Sequence, residues 1–368
     1  MIKSIDIENF RCFKQLSLKD LSTINIVVGD NASGKTALLE AIRLAATGTP
    51  QVMLNINQNR NILSFMYPNP TLEVFQSFWS TFFFNGNINN KISFNFVDSL
   101  PTPITKTVKI YFDKTKAFTN LPANEGSSGT SNITVINIPN IANITNIIPL
   151  KFERHVGGSK TEGLATINFQ GQLQLPTLSE LGPGTGFYPS FQAPNIQEVA
   201  HYYSQLSLSN KEKPIIKILQ KIFPFVQDIN NLTLMPGQSS LYLSVSNSSI
   251  KIPSTLISAG VNKFLSLIIG ISSHRRGVSL VDEIDNGFYF KKLPDMWSVL
   301  LNLAKECEVQ IFASTHSLEC LKAVAPLIRE DADAFTLIRT IKNDQECTAD
   351  VFRGDDARAA IESDIEVR

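Results

Sequence analysis

The chain has 368 residues, 33 Lys+Arg against 33 Asp+Glu for no net charge, 43% hydrophobic residues and a mean hydropathy of +0.02. That composition supports a real core at a length suited to two lobes or one core with a large insertion, and it gives no bulk attraction for nucleic acid, leaving only a local basic patch as a route to DNA. No stretch approaches the ~18 apolar residues that cross a bilayer. The opening MIKSIDIENF lacks the apolar centre of a signal peptide. Cys12, Cys307, Cys320 and Cys347 are too scattered for a disulfide framework or a C-x-x-C pair, so they are read as reduced, buried thiols of a cytoplasmic protein.

In chain order, KSIDIENFRCF reads as a strand with Ile5 and Ile7 on one face, and TINIVVG as a second strand running into Gly29. Leu38, Leu39, Ile42 and Ala45 then recur at helical spacing, with Gly48 and Pro50 as the stop. From 51 to 185 the reading is a β-rich insertion of unassigned role. Ile92, Phe94, Phe96 and then Val108, Ile110, Phe112 alternate as strands do. Asn124–Asn132 and Gly182–Gly186 read as exposed, mobile loops. Residues 186–254 form a helical and β lid region: helical spacing returns at Ile196, Val199, Ala200, Tyr203 and at Ile215, Ile218, Leu219, Ile222, before a β segment at Leu241, Leu243 and Val245. Between 255 and 345 helix and strand alternate: Val261–Ile271, Val278–Val281, Pro294–Ala304, Val309–Ser314 and Leu318–Val324. That rhythm predicts an α/β lobe with a parallel sheet. Residues 346–368 read as a solvated acidic tail.

Three motifs carry chemistry. Gly29-Asp30-Asn31-Ala32-Ser33-Gly34-Lys35-Thr36 fits G-x-x-x-x-G-K-[ST], with a strand before it and a helix after it. Gly29 and Gly34 permit a tight turn whose N–H groups point at phosphate, Lys35 neutralises the β/γ-phosphates, and Thr36 can ligate Mg²⁺. GVSLVDEIDNG ends an apolar strand in Asp282 and Glu283, one acid suited to the Mg²⁺ shell and the next to polarising water, although strand-end acids are often merely solvated. VQIFASTHSLECL ends a strand at Ser314-Thr315-His316, with Ser317 placed to cap the next helix. A strand-end histidine sits at the crevice where α/β sheets bind ligands, although a lone histidine is more often structural.

As an ordered set, DNASGKTALLEAI, SLVDEIDNGFYF and IFASTHSLECLKA resemble the ABC-type head ATPases of the SMC/RecF/overcoming-lysogenization-defect group. More closely they resemble the AAA_15/AAA_21 ATPases of bacterial anti-phage defence and abortive-infection loci. IDIENFRCFKQLSLKDLSTINIVVGDN is similar to the N-terminal strand pair of that group. The resemblance covers residues 1–48 and 255–325 and hardly touches the middle. It implies a P-loop NTPase with an ABC-type head, a mixed antiparallel β lobe beside the parallel-sheet lobe, and ATP with Mg²⁺ as cofactors. It assigns Lys35 and Thr36 to phosphate and metal, Asp282 to the second metal position, Glu283 to the general base and His316 to a switch histidine. Arg11 matches a nucleotide-contacting arginine, a surface strand residue being the alternative. Ser258 and Gly260, heading ISAGVNKFLSLI, are the signature motif that reaches across a dimer, although the stretch departs from LSGGQ. Gln192 is the guess for the glutamine loop.

The resemblance further implies a dimer of heads, at least, around ATP. With no heptad arm and no Toprim nuclease region after His316, it implies a separate effector partner such as a nuclease or toxin. A RecF-like DNA clamp and an ATP-binding scaffold with little turnover are the alternatives; no membrane partner is expected.

Overall fold

The computed structural model describes residues 1–60, 62, 72–99, 102–116, 133–136, 148–167 and 173–363, so the expected loop Asn124–Asn132 lies outside the described residues. A hairpin opens the chain: β1 (Ile2–Phe10) and β2 (Phe13–Leu18) pair antiparallel through a turn at Arg11 and Cys12. The third strand, β3 (Ile24–Val28), is INIVV, buried at every position. A strand covered on both faces reads as such a nearly continuous apolar run, and the one polar residue, Asn25, donates to the Ser22 and Ile311 carbonyls. α1 (Lys35–Thr47) follows and stops at Gly48, whose φ of 61° lets its N–H close on the Leu44 carbonyl.

Pro50 starts a helix as well as following one. It occupies the first turn of α2 (Pro50–Asn59), where its missing N–H costs nothing, and α3 (Leu72–Ser80) comes after. The first part of the expected β-rich insertion is thus helical. Its strands, β4 (Ile92–Asp98), β5 (Ile104–Phe112), β6 (Ile133–Ile136), β7 (Leu150–Val156), β8 (Ser159–Ile167) and β9 (Leu173–Pro176), extend the opening hairpin into one eight-stranded sheet of order β2-β1-β4-β5-β7-β8-β9-β6.

Gly182–Gly186 is not a mobile loop. It leads into β10 (Thr185–Tyr188), which pairs parallel with a strand from the far end of the sequence. The glycines serve close approach: the Gly182 N–H donates to the Ala46 carbonyl at 2.7 Å, and the Gly184 carbonyl accepts from Val278 N–H at 2.8 Å. Then come α4 (Ile196–Leu208), α5 (Glu212–Ile222), and a small sheet of β11 (Val226–Met235), β12 (Gln238–Val245) and β13 (Ile252–Pro253). A short α6 (Ser254–Ile257) leads to α7 (Ala259–Ser273), β14 (Val278–Val281), α8 (Leu293–Cys307), β15 (Gln310–Ser314), α9 (Leu318–Glu330), β16 (Phe335–Lys342), β17 (Cys347–Arg353) and α10 (Asp355–Glu362).

The second large sheet runs β10-β14-β15-β3-β16-β17, parallel except for β17. Its alternating side chains belong to two cores. Ile24, Ile26, Val28, Ile311, Ala313 and Leu337 face the helices α4, α5 and α7–α10. Val27, Val278, Leu280, Phe312 and Ile338 face α1 and the antiparallel sheet beyond it. Helix α1 therefore lies between two sheets, which explains why nine of its residues are buried. Gln310, fully buried, ties the layers together: its Oε1 accepts from the Ile2 N–H at 2.8 Å, and its Nε2 donates to the Ile2 and Ser22 carbonyls at 2.9 Å each. The fold is α/β, with an antiparallel β lobe and a parallel-sheet lobe. Among the described residues no helix is long and apolar enough to cross a membrane, and the four cysteines are free.

The expected acidic tail is folded up to Ser363. β17 pairs with β16 from Thr336↔Arg353 to Lys342↔Cys347, and α10 packs on α9 and β17 with Ala357, Ala360 and Ile361 buried. Asp355 and Asp356 occupy the first helical turn, where acids offset the N-terminal dipole. The acids seen in the sequence were a helix start, and the apolar i, i+3, i+4 set after them was the missed signal. Ile361→Ala should cost about 2–5 kcal/mol of stability, read as a lowered urea midpoint at unchanged slope. An unchanged midpoint would mean α10 is undocked.

Candidate functional site

The phosphate loop connects β3 to α1 at the C-terminal edge of the parallel sheet. Gly29 has φ 139° and Gly34 φ 100°, conformations that L residues rarely take. Space excludes a side chain too: a Cβ on Gly29 would lie 2.2 Å from the Thr340 carbonyl oxygen, and one on Gly34 would lie 2.8 Å from Cys12 Sγ. Ser33, buried, shares a hydrogen bond with Thr340 at 2.6 Å, and Thr340 donates to the Val28 carbonyl at 2.9 Å. The loop is thereby pinned from beneath by β16. Asp30, Asn31 and Ala32 are exposed, and Gly34 at the N-cap offers no side chain to the first N–H groups of α1. Those groups are left open for an anion.

Lys35 folds back along the loop, its Nζ donating to the Gly29 carbonyl at 2.7 Å and the Asp30 carbonyl at 2.8 Å. Burial pushes its pKa down, and the nearby carboxylates Asp282, Glu283 and Asp30 pull against that. Thr36, beside it, donates to Asp282 Oδ2 at 3.0 Å.

Asp282 is the centre of the cluster. At 2% exposure it accepts hydrogen bonds from Thr36 and Ser190 on Oδ2, the latter at 2.9 Å, and from Ser314 on Oδ1 at 2.6 Å. Three hydroxyls thus hold a buried carboxylate that makes no ion pair among the described residues. Such a charge calls for a compensating cation. A hard divalent ion suits an oxygen-only donor set, and Mg²⁺ characteristically takes one or two protein carboxylates together with phosphate oxygens. Asp282, Thr36 and Ser190 are the residues whose oxygens face each other. Among the described residues no group of three or more His, Cys, Asp and Glu forms a metal site of its own.

Glu283 sits at φ 47°, a left-handed conformation that costs a non-glycine residue on the order of 1 kcal/mol. It is held there on several sides. Its N–H donates to Ser314 Oγ at 2.8 Å, its side chain accepts from Asn286, and its carbonyl accepts from the Lys263 ammonium, which also reaches the Asp282 carbonyl at 3.3 Å. Thr315 Oγ1 donates to Asp285 Oδ1 at 2.5 Å, fixing the loop after the acids.

Not every expected residue joins this cluster. His316 follows it directly at the end of β15, exposed and without a hydrogen bond among the described residues, while Ser317 caps α9 by accepting from Cys320 N–H at 3.1 Å. Ser258 caps α7, accepting from Val261 N–H at 3.1 Å, and Gly260 packs so tightly on Gly287 that a Cβ would lie 2.1 Å from its carbonyl oxygen. Gly260 thus seats the start of α7 on the loop after Asp285, and among the described residues no hydrogen bond joins Ser258 or Gly260 to the phosphate loop.

Arg11 points into the protein. Its Nε lies 2.7 Å from Glu40 Oε2, and Arg60 takes the other oxygen at 2.8 Å, so the fully buried Glu40 is shared by two guanidinium groups. In this geometry Arg11 braces α1 and α2 against the opening hairpin and does not face the phosphate loop. Gln192, the glutamine-loop guess, is exposed and makes no hydrogen bond among the described residues; Ser190, two residues earlier, makes the contact. The signal for Ser190 was positional: it follows the strand that pairs with β14, so it must end beside Asp282.

A glycine-hinged anion cradle, a lysine on its rim and a buried acid at the adjoining strand tip define a P-loop ATPase. The chain belongs to the AAA-domain family AAA_23, whose model matches residues 4–233, well over half of it. It is 25% identical over 353 residues to an "ATP/GTP phosphatase" of Helicobacter pylori, covering 90% of this chain and 89% of that one. A "DNA replication and repair protein RecF" of Lachnoclostridium phytofermentans is 49% identical over 47 residues, only 13% of either chain. The SMC head domain from Thermotoga maritima aligns over 95% of this chain and 98% of its own, at 10% identity and a TM-score of 0.46. The protein is an ATPase of the AAA_23 family.

Because Gly29 has neither room nor a permitted φ for a side chain, Gly29→Ala should push the loop off Thr340. Fluorescent-ATP titration should then show affinity weaker by about 5- to 150-fold, from a cost of about 1–3 kcal/mol. Wild-type affinity would mean the loop adapts freely.

Proposed function

We propose that the protein hydrolyses ATP in a Mg²⁺-dependent reaction between two copies of the head, and uses the cycle to control a separate effector. The observation that carries the chemistry is the buried Asp282 carboxylate, without a direct ion pair among the described residues, bonded to Thr36 of the phosphate loop and followed by Glu283. Lys35 would leave the Gly29 and Asp30 carbonyls for the β/γ-phosphates, while the open N–H groups of α1 stabilise charge on the transferring phosphoryl group. Thr36 and Asp282 would hold Mg²⁺, which when bound neutralises developing charge on the phosphate oxygens. Glu283, fixed by Ser314, Asn286 and Lys263, accepts the proton of the attacking water. His316, exposed at the end of β15, is free to reach the γ-phosphate as its sensor. Ser258 and Gly260 would complete the partner's site, and α7 is rigidly seated on the Glu283 loop for that purpose.

The resemblance to defence-locus ATPases supports an effector that is a nuclease or toxin, acting in a bacterial anti-phage system. The short RecF match supports a second reading, an ATP-driven DNA clamp. Pull-down of the native chain decides between them: a co-purifying enzyme chain supports the first, and salt-sensitive, ATP-stimulated duplex binding the second.

Glu283→Gln should lower phosphate release by about 10²–10⁴-fold while ATP stays bound and the dimer persists in size-exclusion chromatography. Undiminished release would remove Glu283 from the reaction. Lys35→Ala should abolish ATP binding in equilibrium dialysis; tight binding by that variant would place the nucleotide elsewhere.

A further inference from the structure

We infer that the Ser190 hydroxyl is a protein oxygen of the divalent-cation site, beside Thr36 and Asp282, in the place where a glutamine was expected. The inference rests on the ATPase reading above and names a residue that reading does not use.

The placement is built in by the backbone. The Asp282 N–H donates to the Tyr188 carbonyl at 2.9 Å, the last rung joining β10 to the end of β14. The Tyr188 hydroxyl lies in a notch on α7 where a Cβ on Gly270 would be 1.6 Å away. Pro189 then fixes one more backbone angle, and the next side chain is Ser190. The chain is thus anchored directly before this residue. Its neighbour Phe191 is 47% exposed and Gln192 is exposed as well, so the anchored stretch ends with the serine.

The spacing fits the ion. Thr36 Oγ1 and Ser190 Oγ lie 3.0 and 2.9 Å from the same carboxylate oxygen, Asp282 Oδ2. Neighbouring oxygens around an octahedral Mg²⁺ at ~2.0–2.1 Å are themselves about 2.9 Å apart. Each hydroxyl oxygen is therefore already at the separation from the carboxylate oxygen that the ion requires. Both hydroxyls now donate to the carboxylate. A hydroxyl also carries two acceptor lone pairs and turns about its C–O bond, so each can turn its oxygen toward a cation without moving the backbone. The Ser314 hydroxyl differs: it is bonded to Oδ1 and also accepts the Glu283 N–H, which commits it to the protein.

A purely structural serine would serve only to satisfy Asp282, and metal binding separates the two roles. With a non-hydrolysable ATP analogue bound, electron paramagnetic resonance titration of Mn²⁺ reads metal affinity without turnover. Ser190→Ala should bind Mn²⁺ about 10-fold more weakly while binding the analogue normally in EDTA; Ser190→Thr should restore the affinity. Ser190→Cys should shift preference from Mn²⁺ toward thiophilic Cd²⁺, and this comparison decides the matter if the alanine variant fails to fold. Gln192→Ala should bind Mn²⁺ as wild type does. Wild-type Mn²⁺ affinity in Ser190→Ala, an unshifted preference in Ser190→Cys, or a loss confined to Gln192→Ala overturns the assignment. If wild type with the analogue binds no Mn²⁺, the ATPase reading of the site falls along with it.

Discussion

One buried carboxylate organises the site. Asp282 sits at the end of β14 with three hydroxyls around it, each from a different part of the chain: the start of α1, the segment after β10 and the end of β15. Those segments are neighbours only because β10, β14, β15 and β3 lie side by side in register. The charge makes no direct ion pair among the described residues and feels the ammonium groups of Lys35 and Lys263 only at longer range, so the protein tolerates a local electrostatic cost that a bound cation would remove. Ground-state stability is given up where ligand binding can recover it, the usual relation between strain and function. The left-handed Glu283 beside it repeats that relation in backbone form, since Ser314, Asn286 and Lys263 must hold what the residue alone would not adopt.

Much of this was legible in the sequence, for identifiable reasons. β3, α1, β14, β15 and the capped start of α9 each have one dominant local signal, either a nearly continuous apolar run or a helical period with a cap. The phosphate loop was readable because its glycines are required by both φ and space. What was not legible has a different cause. Gly182–Gly186 resembles a loop in composition, yet its glycines exist so that β10 can approach β14 and α1. The strands from 92 to 176 pair with β1 and with each other, and no local pattern says which sheet they join. Arg11 carries the right neighbours for a nucleotide contact, but Glu40, one turn beyond Thr36 on the inner face of α1, captures it. Sequence position gives proximity, and only the packed interior decides which partner takes the charge.

Helix α7 is joined to the Asp282–Gly287 loop twice, by backbone contact between Gly260 and Gly287 and by Lys263 on the carbonyls of Asp282 and Glu283. Neither joint has slack: one is a van der Waals contact with no room for a methyl group, the other a half-buried ammonium on carbonyl oxygens. A displacement of α7 is therefore a displacement of the loop carrying Glu283. On the proposed reading, a second copy's contact with α7 and the position of Glu283 become one mechanical variable.

The strand order also governs how the protein is made. β3 emerges early from the ribosome, but its two neighbours in the sheet, β15 and β16, begin only at Gln310 and Phe335. At roughly 5–20 residues per second of synthesis, the phosphate-loop strand waits on the order of tens of seconds with both edges unpaired. Those edges belong to INIVV, an apolar sequence of the kind that pairs with other chains when left open. The eight-stranded sheet, largely complete by Pro176, lies against the same α1 that follows β3. That sheet packs with α1 on the Val27 face of β3, and the two edges of β3 stay open until β15 and β16 have been made.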